Sequence, residues 1–387
     1  MSEWVGIGRR ARRCYGFDEV ALVPGRLTVN PAEVDTSWEI GGLKFPVPIL
    51  ASAMDGVVDV KFAIAMGKMG GIAVLNLEGV QTRYEHPEKI LSQIATANPD
   101  EATQIIQHLY DQPIKEELIA TRIKQIKAGG APAVVSAIPA RAQKFAEIAE
   151  EAGADIFIIQ STVTTVEHIS TQYETVNLKK FCASFKMPVI VGNTVSYDAT
   201  LELMETGISG LLIGVGPGAA CTSRGVLGIG MPQVTATVDC AAARDFFFKR
   251  TGKYVPIITD GGMSVGGEVC KAFAAGADAV MIGSAFAKAA EAPGHGYHWG
   301  MATPHANLPR GTRIRVGTTG SLDQILFGPA NVDDGSQNLV GALQTSMGSL
   351  GARNIREMQL ANMIIAPAIQ TEGKVFQKAQ RVGMGKS

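Results

Sequence analysis

At 387 residues, with 46% hydrophobic residues and 44 glycines, the chain holds enough apolar material for a sizeable core broken by many tight turns. Its formal net charge is −1 at pH 7 with Lys and Arg dispersed, which excludes the one-sided basic face of a nucleic-acid binder. No run is apolar for long enough to span a bilayer, and the basic start (Arg9, Arg10, Arg12, Arg13) has no apolar segment after it, so neither a membrane protein nor a secretory leader is expected.

The first 46 residues carry Pro24, Pro31 and Pro46 and little helical patterning, and they predict an irregular lead-in. Short apolar runs then recur at 47–52, 71–77, 133–138, 154–160, 188–193, 210–215, 256–260 and 278–283. Continuous apolar runs of this length suit parallel strands buried on both faces. Helical patterns alternate with them, at 60–69, 141–152, 197–206, 234–249 and 266–275. Eight such units predict a (β/α)₈ TIM barrel, one α/β domain over 1–387; an open doubly wound sheet is the alternative. Residues 78–132 form a connection longer than an ordinary crossover. Residues 291–335, rich in Gly, Pro and His, predict a mobile flap over the barrel mouth. A helix is expected within 338–362 and an extended, exposed tail over 366–387.

Polar residues and glycines gather where the strands end: Ser52, Met54 and Asp55; Gln160 and Ser161; Asn193; Asp260-Gly261-Gly262; Gly283-Ser284. In a barrel of this kind that end forms the active site. The last two clusters stand where backbone amides commonly hold phosphate, with Asp260 placed to accept ribose hydroxyls. The run Gly214-Val-Gly-Pro-Gly-Ala-Ala-Cys221-Thr-Ser-Arg224 follows the sixth strand. Its glycines permit conformations closed to other residues and a close approach of backbone to ligand. Cys221 at the end of the turn reads either as a nucleophile, its thiolate favoured by successive N–H groups, or as a structural cysteine. The other cysteines (14, 182, 240, 270) are scattered without paired metal-ligand spacing, as in a cytoplasmic protein with reduced thiols. His86, His108 and His168 are expected on solvated surface helices. His295, His298 and His305 fall in the flap near Glu291, without zinc spacing.

The cysteine run resembles that of the IMP dehydrogenase / GMP reductase family. So do Ala51-Ser-Ala-Met-Asp55, the stretch from Asp260-Gly-Gly-Met263 through Val280-Met-Ile-Gly-Ser284, Glu291-Ala-Pro-Gly294, and Leu339-Val-Gly-Ala-Leu343 with Met347-Gly348. The resemblance implies a (β/α)₈ barrel, a homotetramer or octamer, acting at C2 of a purine nucleotide through a covalent cysteine adduct, with NADPH or NAD as cofactor. Cys221 and Ser223 would be catalytic. Ser52, Met54, Gly218, Ala219, Asp260, Gly262, Gly283, Ser284, Gly300, Met301 and Arg310 would hold GMP or IMP. Gln160, Ser161, Thr162, Asn193, Gly214 and Gly216 would border the nicotinamide ribose. Carbonyls of Gly216, Gly218 and Cys221 would hold potassium, completed by Glu372 and Gly373 from a neighbouring subunit.

Several positions depart from the family pattern. Ala219 replaces a serine, Leu212 a Lys or Arg, Gln160 an aspartate and Ser223 a threonine, and the paired regulatory CBS domains are missing from 78–132. The chain most resembles a short branch without those domains. Residues 302–308 contain neither Arg nor Tyr, the pair with which the dehydrogenases activate water, so GMP reduction is expected ahead of IMP oxidation. Ammonia release then needs an acid. Pro304 stands at the reductases' glutamate, which leaves Glu291, His298 and His305 as candidates. The rival classes are a flavin-binding barrel enzyme and a non-catalytic nucleotide sensor.

Overall fold

A computed structural model of the protein describes residues 2–171, 175–300, 313–368 and 372–383. The eight expected strands are β1 (Ile49–Ala51), β2 (Ile72–Asn76), β3 (Val134–Ala137), β4 (Ile156–Gln160), β5 (Val189–Thr194), β6 (Gly210–Ile213), β7 (Ile257–Asp260) and β8 (Ala279–Ile282). Each pairs in parallel with its neighbours in chain order, and β8 closes on β1. The expected (β/α)₈ barrel is therefore the fold.

Successive side chains on a strand face opposite ways, and the strands are apolar on both faces for that reason. Leu50, Val74, Val134, Ile158, Leu212, Ile258 and Met281 pack together as the barrel interior. Their sequence neighbours, such as Ile49, Leu75, Val135, Ile159 and Ile213, pack beneath the helices. Each large aliphatic side chain removed from water in this way contributes about 1.5–3 kcal/mol relative to exposure. The hairpin Trp38–Ile40 / Leu43–Phe45 joins the interior cluster at the amino-terminal end, where Ile40 fills the space beside Gly210.

The five predicted helices are Val60–Lys68, Pro139–Glu151, Tyr197–Glu205, Gln233–Thr251 and Gly266–Ala274. Local chemistry sets their starts: Asp59 accepts from Phe62 N at 2.7 Å, and Pro139 supplies the first-turn proline. Three more helices occupy the long connection, at Pro87–Thr96, Ala102–Tyr110 and Glu116–Ala128.

The lead-in is more ordered than expected. Besides the 38–45 hairpin it carries the hairpin Ser2–Gly6 / Arg9–Arg12, and Val20–Leu22 pairs with Met363–Ile365 from the far end of the chain. Strands of three to five residues are too short to reveal a period. The expected 338–362 helix is divided into Leu339–Leu350 and Ile355–Met358, because Gly351 ends the first at φ +74°. The flap region contains a two-stranded ribbon, β9 (Tyr297–Trp299) with β10 (Arg313–Arg315), and a helix at Leu322–Phe327. The tail includes a short helix, Val375–Gln380, so it is not wholly extended. Among the described residues, no helix is long and apolar enough to cross a membrane.

One buried ion pair ties helix 233–251 to the base of β8. Arg244, 1% exposed, donates through Nη1 to Asp278 Oδ2 at 2.8 Å and to Gly276 O at 2.6 Å. Asp278 also accepts from Ile257 N at 2.9 Å. Removing one partner strands a buried charge, so Arg244→Leu is expected to cost about 3–5 kcal/mol. A fall in the urea midpoint without change in m would record it; an unchanged midpoint would contradict this account.

Candidate active site

The interior rows turn to polar residues or glycine two residues beyond an apolar member: Leu50 leads to Ser52, Val74 to Asn76, Val134 to Ser136, Ile158 to Gln160, Leu212 to Gly214, Ile258 to Asp260 and Met281 to Gly283. All seven line one cavity of about 500 Å³ at the carboxyl ends of the strands, within the ~300–1,000 Å³ usual for small-molecule sites. Of the candidate site residues, Met54, Ser161, Thr162, Asn193, Gly216, Gly218, Ala219, Cys221, Ser223, Gly262, Ser284 and Gly300 also line it. Met301, Arg310 and His305 lie outside the described residues. Glu372 and Gly373 are exposed and are not among the lining residues. A second cavity, about 630 Å³, lies at the amino-terminal end beside Gly41 and Arg250, and no cysteine or histidine lines it.

The cysteine loop is shaped by its glycines. Gly214 sits at φ +143°, and a Cβ there would fall 2.5 Å from Asp260 O. Gln233, 2% exposed, donates through Nε2 to Ile213 O (2.8 Å) and Asp260 O (2.9 Å), binding the ends of β6 and β7 together beneath the loop. Cys221 N donates to Gly218 O at 2.9 Å, which turns the exposed thiol toward Ser223, whose Oγ accepts from Sγ at 3.4 Å. Burial pushes Cys240 up to about 12 and Cys182 and Cys270 up to about 11.

Asp260 stands between the two groups of site residues. Its Oδ2 accepts from Asn193 Nδ2 at 2.8 Å and from Gln160 Nε2 at 3.1 Å, while Oδ1 has no hydrogen-bond partner among the described residues. Burial pushes its carboxyl up to about 6, and the two amide donors pull the other way. The contacts explain Gln160: a carboxylate there would set a second negative charge against Asp260, whereas the amide donates to it.

Two candidate acids are corrected by their surroundings. Glu291 Oε2 accepts from Leu322 N at 2.8 Å at the start of helix 322–327, and Glu291 does not line the cavity. His298 does line it, on β9 and 1% exposed, with Nε2 3.2 Å from Ser284 Oγ. Burial pushes its imidazole down to about 4, so it is neutral at physiological pH and has no proton to give as a cationic acid. His168 lies in an irregular loop rather than on a helix.

Sequence reading missed Asn76, Glu78, Ser136 and Lys288, which also line the cavity. For Asn76 and Ser136 the signal was present, a polar residue in step with the apolar positions of its own strand. Glu78 is held by Ile138 N at 2.7 Å on Oε1, and Lys288 brings an amine with no partner among the described residues.

The donor set fits a nicotinamide cofactor: side-chain amides of Gln160 and Asn193 and hydroxyls of Ser161 and Thr162 line the cavity that holds Cys221. The fit to a monovalent cation is partial. Gly218 O is already engaged by Cys221 N, and the Arg224 side chain packs against Gly216.

Comparison with known proteins agrees with this arrangement. The profile of the IMP dehydrogenase / GMP reductase domain matches residues 14–376. An uncharacterized oxidoreductase of Mycolicibacterium smegmatis is 36% identical over 370 residues, covering 93% of this chain and 99% of that one. The inosine-5'-monophosphate dehydrogenase of Cryptosporidium parvum is 29% identical over 385 residues, covering 88% and 89%. The 1.50 Å crystal structure of an IMP dehydrogenase/GMP reductase-like protein from Corynebacterium glutamicum superposes with a TM-score of 0.89 at 36% identity, covering 94% of this chain and 97% of that one. A closed barrel with a thiol at its mouth, matched along nearly its whole length by these relatives, places the chain in the IMP dehydrogenase / GMP reductase family of oxidoreductases.

Proposed function

We propose that the protein oxidises IMP at C2 to XMP through a covalent adduct on Cys221. The observation that carries this reading is the shared cavity: the thiol of Cys221 lines it together with Asp260, Gly262 and Ser284 and with Gln160, Ser161 and Asn193. In this reading Asp260 accepts from the ribose, and backbone amides at Gly262, Gly283 and Ser284 take the phosphate. A serine hydroxyl that usually contacts phosphate is missing at Ala219, and Lys288 is the cation on hand to offset it. Gln160, Ser161, Thr162 and Asn193 would hold a nicotinamide cofactor, NAD in this direction, which would supply the hydride acceptor. Cys221 Sγ, its proton lost, would add to C2, the hydride would pass from that carbon to the cofactor, and water would then add there as the sulfur departs, with one proton released to solvent. Ser223, 3.4 Å from Sγ, orients the attacking water.

This direction is the reverse of the GMP reduction expected from residues 302–308, and what supports it is the demand each half-reaction makes on side chains. Reduction of GMP releases ammonia, which requires a proton donor beside the thiol. Glu291 is occupied at a helix start and His298 is neutral. That removes two of the three donors on which a reductase would draw, and the naming of the Cryptosporidium parvum relative points the same way. Oxidation needs a base rather than an acid, and with neither Arg nor Tyr in 302–308, His305, the third candidate, is the side chain left for that role.

The test is a paired assay on the purified protein, IMP with NAD against GMP with NADPH. XMP and NADH formed in the first arm, with no ammonia in the second, is the expected result. Ammonia release from GMP without XMP formation would reverse the direction. Turnover in neither arm would remove the function.

A further inference from the structure

We propose that Tyr110, from the helical connection between β2 and β3, is a positioning residue for the nucleotide end of the cavity, acting through Asp55 and Trp299. Tyr110 is 5% exposed and ends helix Ala102–Tyr110. Its hydroxyl donates to Asp55 Oδ2 at 2.5 Å and accepts from Trp299 Nε1 at 2.8 Å. Asp55 and Trp299 are both fully buried. A phenol hydroxyl is one donor and an acceptor at once, so it serves both neighbours where an indole N–H and a carboxylate alone could not be joined through a hydrocarbon ring.

Each neighbour is one residue from the cavity wall. Met54 precedes Asp55 and lines the cavity, with its Sδ 2.9 Å from where a Cβ on Gly283 would stand. Trp299 lies between His298 and Gly300, which both line it. Asp55 Oδ2 also accepts from Val80 N at 2.7 Å, tying the same point to the loop after β2.

A second attachment repeats the pattern on the partner strand of the ribbon. Arg313 on β10 donates to Ala95 O (3.2 Å) and Ala97 O (2.9 Å) at the end of helix 87–96, and its guanidinium lies 4.4 Å from the Tyr297 ring on β9. The barrel closes without any of these groups. The connection has its own small core, Leu91, Ile94, Ile106 and Leu109, which would hold its helices together without a tyrosine hydroxyl. The hydroxyl instead sets the spacing between the β1 loop and β9, two walls of the cavity that takes the nucleotide in the function proposed above, on which this inference rests.

The test compares Tyr110→Phe with Ile106→Val, a variant in the same small core that leaves the hydroxyl in place. Tyr110→Phe is expected to raise the Michaelis constant for the purine nucleotide about tenfold, the fold-change of one buried hydrogen bond, and to leave that for the nicotinamide dinucleotide unchanged. Hydrogen exchange on the ligand-free protein should quicken at 52–58 and 297–299 but not at 189–194. Ile106→Val should move neither reading. Unchanged exchange at both walls in Tyr110→Phe, or an equal change in the two variants, overturns the proposal. Should wild-type protein turn over neither IMP nor GMP, the functional reading fails, and exchange alone then decides for or against Tyr110.

Discussion

Cys221→Ala is expected to abolish turnover, by roughly 10⁴-fold or more as for loss of a covalent nucleophile, while IMP binding persists. The separation follows from position. The groups assigned to ribose and phosphate, Asp260, Gly262, Gly283 and Ser284, come from β7, β8 and the turns after them, and the thiol comes from the loop after β6. Replacing Cys182, Cys240 or Cys270 by serine should leave the rate nearly intact. Their thiols, pushed by burial up to about 11, 12 and 11, supply almost no thiolate at neutral pH. Calorimetric titration of IMP into Cys221→Ala and a rate measurement on each variant would check this. Activity in Cys221→Ala within tenfold of wild type would rule out the adduct.

Asp260→Asn is expected to weaken nucleotide binding by about 10²-fold, since hydrogen bonds to a charged group are worth roughly 1.5–3 kcal/mol each. The pH dependence gives the sharper test. Burial raises this carboxyl from 3.8 to about 6, and only the ionised form accepts freely from ribose hydroxyls. Affinity should therefore hold above pH 6 and fall about tenfold per unit below it. Stability runs the other way. Between about 4 and 6 the unfolded chain has already released the proton that the folded chain retains, so ligand-free stability falls as pH rises through that window. Asp260→Asn should flatten both profiles and stabilise the ligand-free protein at pH 7. Titration and thermal unfolding from about pH 4 to 8 would measure both, and an affinity profile equally steep in Asp260→Asn would assign the titration elsewhere.

The sequence by itself determined the barrel and the face that carries the site. Runs such as Ile156–Gln160 and Ala279–Ile282 are apolar at every position or end in a single polar residue, because parallel strands under helices are buried on both sides. The glycines of the cysteine loop were legible because the backbone conformation at Gly214 excludes other residues, whatever surrounds it. Tertiary structure alone decided which polar groups meet. Tyr110 reaches Asp55 across 55 residues and Trp299 across 189, and no local period encodes such a pairing. It also decided the state of the acids. Glu291 and His298 are indistinguishable from working proton donors until the Leu322 amide bonds the first and burial keeps the second neutral. A side chain's type is local and its periodicity is readable along the chain, but its protonation, its partners and its access to a substrate belong to the space that distant segments enclose.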